Sequence, residues 1–351
     1  MTKPTTKMPP YIWVCCALAI LVASVFVKSG AAQKGMPSKI ENSGDTKIEI
    51  LPVQGNVYML AGNGANITLQ VGDDGILLVD TGLASLSDQT LEAIERLSDK
   101  PIRYIINTSP DPDHVGGNET IGRQGSTIAG GNVGAGAGVG AGIIAHENVL
   151  NRMSAPTGKT SPYPTTAWPT DTFIGRQKEL YSNGESILTI YKPGHTDADS
   201  IVYFRKSDVI AAGELFNTLT FPVIDLARGG SVKGVLNGLN DMLDIAVPKA
   251  MQEGGTYIIP GKGRLTDEAD LLEYRDMVTI IRDRVQDAIK RGQTLDQVKA
   301  AKFTLDYDAR WGATSGPWTT DMFIEAVYKD LSKASEASKP APAKTPAPKK
   351  K

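Results

Sequence analysis

One stretch of the chain concentrates side chains that can do chemistry: Asn107-Thr108-Ser109-Pro110-Asp111-Pro112-Asp113-His114-Val115-Gly116-Gly117-Asn118. Two carboxylates and an imidazole this close together are suited to holding a metal ion or moving protons. The run Arg103–Asn107 before it reads as a buried strand, and a helix is expected after it, so these polar groups emerge at a sheet edge. Histidine is scarce, at three residues (His114, His146 and His195). The cysteines, Cys15 and Cys16, both lie in an apolar run near the N-terminus. The rest of the chain therefore has no thiolate to offer, and any metal must be held by His, Asp or Glu.

The surrounding elements are legible from apolar spacing. Ile48–Val53, Asn56–Leu60, Ala65–Val71 and Gly75–Val79 are short apolar runs separated by turn residues, a β-meander with a hairpin signal at Gly72-Asp73-Asp74-Gly75. Leu91, Ile94 and Leu97 mark a helix with Ser87 or Asp88 as its cap. Gly130 to Gly142 reads as an inserted surface loop. Strands are expected at Ser186–Tyr191, Ser200–Phe204, Asp208–Ala212 and Thr256–Ile259. A helix capped by Ser231 ends before Pro248, and a longer one runs from Thr266 to Arg291 with a stripe of Leu271, Tyr274, Val278, Ile281, Val285 and Ala288. Strands and helices in two successive sets predict two packed β-sheets with helices outside.

The segment around His114 resembles the metal-binding loop of the metallo-β-lactamase superfamily, Thr-His-x-His-x-Asp-His-x-Gly-Gly-Asn. The resemblance continues, in order, through Val79-Asp80-Thr81-Gly82, Pro193-Gly194-His195-Thr196, Gly213-Glu214-Leu215-Phe216 and Pro260-Gly261-Lys262-Gly263. It implies an αββα four-layer sandwich over residues 47–331. It also implies a site of two adjacent zinc ions sharing a hydroxide, with metal-assisted hydrolysis as the chemistry. Matched residue by residue, the chain departs from that pattern. Ser109 and Asp111 stand at the first two loop histidines, Glu214 at the usual bridging Asp or its neighbour, and Lys262 at the final His. Asp113, His114 and His195 match. The ligand set the resemblance leaves is Asp111, Asp113, His114, His195 and Glu214, with Asp113 also the catalytic candidate. Ser109 and Lys262 are further pocket residues, and Asp80 lies behind the ligands and orients the loop.

Such a set predicts at most one divalent ion (Zn, Mn or Fe), and also admits none. Clustered carboxylates repel one another without a compensating cation, and the Lys262 ammonium can supply one by pairing with Asp113 and Glu214 in place of the second zinc. Two readings stay open. One is a hydrolase of an ester, lactone, amide or thioester with a remodelled one-metal site. The other is an inactive binding or scaffold protein that keeps the fold. His146 is expected to be structural, and Ser109 lacks a nearby base that would make it a nucleophile.

The chain ends carry different signals. Lys3 and Lys7 precede the apolar run Tyr11–Val27, and small residues lead to Ala32-Gln33. This is a secretory signal at 1–32, or an N-terminal membrane anchor slightly short of the ~20 residues of a comfortable span. The expected location is thus periplasmic or extracellular. Residues 332–351, rich in Ala, Lys and Pro, read as a disordered tail. With a net charge of −2 and no standout basic cluster, nucleic acid is not an expected partner; a small-molecule substrate is.

Overall fold

The computed structural model describes residues 47–62, 64–126, 140–154 and 160–337. The N-terminal apolar run, nearly all of the glycine-rich insert and the last residues of the tail lie outside the described residues. Seven strands form the first sheet in simple chain order: β1 (Glu49–Gln54), β2 (Val57–Ala61), β3 (Ile67–Gly72), β4 (Gly75–Val79), β5 (Ile102–Asn107), β6 (Gly142–His146) and β7 (Asp171–Phe173). The first four are an antiparallel meander, closed at the predicted hairpin where Gly72 faces Gly75. From β4 to β7 the pairing is parallel, which requires the helical crossovers that follow β4, β5 and β6.

The second sheet holds β8 (Gln177–Ser182), β9 (Glu185–Tyr191), β10 (Ser200–Phe204), β11 (Val209–Ala211), β12 (Tyr257–Ile259) and β13 (Thr266–Asp267), again in sequential order. Nine helices flank the sheets among the described residues: α1 (Ser87–Glu95), α2 (Pro112–Val115), α3 (Asn118–Gln124), α4 (Glu147–Ser154), α5 (Val232–Ile245), α6 (Glu268–Lys290), α7 (Leu295–Ala300), α8 (Asp308–Trp311) and α9 (Thr320–Ala337).

Strand alternation divides the core into layers. Val57 and Met59 of β2 pack with Val202, Phe204 and Ile259 between the two sheets, whereas Leu60 faces α1 and α3 with Ile94 and Ile121. The outer face of the second sheet is covered by α5, α6 and α9 through Leu239, Tyr274, Ile281 and Phe323. Helix–sheet–sheet–helix is the αββα sandwich the resemblance implied. Tertiary packing carries α6: Leu271, Val278, Ile281 and Val285 are buried, each contributing roughly 1.5–3 kcal/mol, against about 1 kcal/mol for its Asp267 cap.

The differences from expectation are local. Thr266 and Asp267 form β13, so α6 starts at Glu268. Neither Ser87 nor Asp88 caps α1; Ser87 lies inside the helix and its hydroxyl donates to the Ala84 carbonyl. Ser231 does cap α5, accepting from the Gly234 amide. α9 continues to Ala337, past residue 331, because alanine and other good helix formers extend the turn beyond its apolar stripe. No helix among the described residues is long and apolar enough to cross a membrane.

Candidate functional site

The site forms where loops leave the same edge of both sheets. β4 ends in Asp80, whose backbone is left-handed at φ 65°. Its carboxylate accepts from the Thr108 amide at 2.8 Å and the Thr108 hydroxyl at 2.5 Å, tying it to the start of the loop after β5. That loop enters α2 with Asp111 at the N-cap position and Pro112 in the first turn, and α2 presents Asp113 and His114. β9 leads to His195 through a turn built around buried Asp199, which accepts from the amides of Gly194 and Thr196. Glu214 lies in the 3-10 turn Gly213–Leu215 after β11, and Lys262 follows β12.

The Lys262 loop is held by a residue that motif reading did not single out. Asn66 donates from its side-chain amide to the carbonyls of Pro260 and Gly263, both at 2.9 Å, and from its backbone amide to Gly261. A side chain at Gly261 would place its Cβ 2.4 Å from the Gly213 carbonyl, so glycine is what lets this loop approach Glu214.

Two ionic groups result. In the first, His114 is fully buried between Asp80 and Glu214. Its Nδ1 lies 2.7 Å from Asp80 Oδ2, and its Nε2 lies 2.7 Å from Glu214 Oε1. Lys262 Nζ donates to Glu214 Oε1 at 2.7 Å and to Asp113 Oδ2 at 2.8 Å. Burial alone would lower the His114 pKa, but the two carboxylates hold it well above the usual value. Burial would likewise raise Glu214, and His114, Lys262 and His195 hold it well below.

In the second group, His195 Nε2 lies 2.8 Å from Asp111 Oδ2 and its Nδ1 2.9 Å from the Val223 carbonyl. Arg228 grips Asp111 with both terminal nitrogens and pairs with Asp225 through Nε at 2.6 Å. Burial opposes the charge on His195, yet Asp111, Asp199 and Glu214 raise its pKa to about 9. Burial would raise the Asp111 carboxyl too, but His195 and Arg228 bring it far below its usual range.

Arg228 and Asp225 carried no motif in the sequence. The available signal was Asp225-Leu226-Ala227-Arg228-Gly229-Gly230 ahead of the Ser231 cap, a charged pair in a glycine turn. This turn is strapped to the His195 loop, with Asp225 N bonded to the His195 carbonyl and Ser231 N to the Gly194 carbonyl.

The seven pocket residues expected from the sequence, with Asp80 behind them, thus lie in one region but not around one centre. Asp113, His114 and Glu214 bring ligand atoms within 4.8 Å of one another and could hold an ion. Asp111 and His195 pair with each other and with Arg228. Ser109 is fully buried, and its hydroxyl accepts from the Asp111 amide at 3.4 Å, so it faces no solvent-borne substrate. His146 stacks on Tyr191 at 3.8 Å between centroids and meets Phe173 edge-on, a packing role.

The sequence model of the Metallo-beta-lactamase superfamily matches residues 60–282, well over half of the chain. The chain belongs to the metallo-β-lactamase superfamily. Its fold is therefore that of a group of hydrolases. A curated relative, the linear primary-alkylsulfatase of Pseudomonas sp. (strain ATCC 19151), is 23% identical over 258 residues, covering 64% of this chain and 47% of the relative. Among solved structures, a double mutant of the sec-alkyl sulfatase PisA1 superposes with a TM-score of 0.60 at 18% identity, over 84% of this chain and 52% of that one. A metallo-β-lactamase from Pontibacter korlensis gives 0.51 at 15% identity, over 66% and 99%. These structural likenesses are of fold alone, and the chain spans about half the length of the alkylsulfatases it matches.

Superfamily members typically bind divalent metals, so the donor set has to be tested against an ion. A closed two-metal centre does not fit: Ser109 is turned into its own loop, Asp111 is committed to Arg228, and an ammonium stands between Asp113 and Glu214. A single ion at Asp113, His114 and Glu214 would have to displace Lys262.

Proposed function

We propose that this chain is an exported protein of metallo-β-lactamase fold that uses the old active site to bind a small anionic ester or oxyanion, rather than to hydrolyse it with two metals. The observation that carries the reading is Lys262, a cation seated 2.8 Å from Asp113 and 2.7 Å from Glu214 where the family pattern has a zinc ligand. A third of its side chain remains exposed, as does a third of Arg228, so both can still meet a ligand's oxygens. Exposed Leu219 lies next to Gly263 beside Lys262, and half-buried Leu83 lies with Asp113 next to Gly64, so apolar side chains neighbour the Lys262–Asp113 pair. A charged head with a short alkyl chain matches that surface. The named alkylsulfatase relatives make alkyl sulfates the first compounds to try.

Calorimetry with hexyl sulfate tests binding, and release of inorganic sulfate tests turnover. Saturable binding that weakens about tenfold in Lys262→Met, with no sulfate released in chelator or in added Zn, Mn or Fe, is the expected result. A second reading is favoured by the 4.8 Å grouping of Asp113, His114 and Glu214: one divalent ion displaces Lys262 and supports hydrolysis. Metal-dependent cleavage of an ester, lactone, amide, thioester or alkyl sulfate would establish it and remove the binding-only reading.

A further inference from the structure

We infer that both metal positions of this fold are filled by the chain's own cations, Lys262 at one and Arg228 at the other. The inference rests on position. Lys262 bridges Asp113 and Glu214, and Arg228 closes on Asp111 beside His195, with Nη2 3.5 Å from the His195 Nε2. Each of the carboxylates Asp80, Asp111, Asp113 and Glu214 thereby meets at least one nitrogen of His114, His195, Arg228 or Lys262, and Asp225 shares Arg228.

Arg228 cannot shift easily to admit an ion. Asp225 accepts from the amides of Ala227 and Arg228 and from Arg228 Nε, fixing the guanidinium from behind.

This inference stands apart from the ligand reading, because its test involves no ligand. Purified full chain, expressed in zinc-supplemented medium and dialysed without chelator, is assayed by elemental analysis. Its melting temperature is measured with and without EDTA, and zinc is titrated by calorimetry. Less than one-tenth of an equivalent of any transition metal, a melting temperature unchanged by EDTA and no zinc binding below 100 μM are expected. One equivalent of retained metal, or a drop of several degrees in EDTA, would overturn it.

Discussion

His195 is held as a cation by an acceptor on each side, and its protonation is part of what keeps the Asp111–Arg228 group closed. Its folded pKa of about 9 lies above the ordinary 6.5, so its contribution is complete below pH ~6.5 and disappears as pH rises through 9. Urea unfolding between pH 6 and 10 should show a loss on the order of 3 kcal/mol that His195→Gln does not share; parallel profiles for the two proteins would refute this. For Lys262→Ala, two carboxylates are left facing each other. Stranding a buried charge costs about 3–5 kcal/mol, and the third of Lys262 that water reaches puts the expected loss near the low end. A melt like that of the parent would mean the ammonium is merely solvated. The sequence already pointed to this contact, because an ammonium at a position matched to a ligand has to satisfy the carboxylates around it. The partner of Asp111 was hidden, since Arg228 lies far along the chain and belongs to no recognisable pattern.

Turns position the site more than strands do, and they were the harder part to read. Short apolar runs made β1–β5 and β9–β12 legible. β8 alternates exposed and half-buried residues at a sheet edge, with Leu180 its one aliphatic side chain, and β7 has three residues, too few for a periodic signal. The straps between loops leave no periodic mark at all. Gly230 is one of them: a Cβ there would lie 2.1 Å from the His195 carbonyl. Gly230→Ala should therefore push the Arg228 turn off the His195 loop and cost about 1–3 kcal/mol, as overpacking does. Asn66→Ala removes two hydrogen bonds to the Lys262 loop and strands the buried carbonyls of Pro260 and Gly263, for about 2 kcal/mol. Chemical denaturation measures both. Losses under 0.5 kcal/mol would show that these loops hold their shape unaided.

Across the whole molecule, the two sheets are built from consecutive stretches of chain, β1–β7 before β8–β13. The N-terminal reading predicts export, with processing at Gln33 or retention through Tyr11–Val27. Cleavage after Ala32 removes Lys3, Lys7 and Lys28 and no acid, which takes the net charge from −2 to −5. Cell fractionation with N-terminal sequencing checks this, and full-length chain in the cytoplasm would sink it. The order of the sheets also sets an order of events. Asp80, Asp111, Asp113 and His114 come from the first sheet, while His195, Glu214, Asp225, Arg228 and Lys262 come from the second. As the chain emerges during synthesis or crosses a membrane, Asp111 and Asp113 arrive well before His195, Arg228 and Lys262, which pair with them. Until the second sheet docks, these two carboxylates stand without those partners. Attraction of Asp111 to Arg228 and of Asp113 to Lys262 then favours docking, so refolding should slow as ionic strength rises.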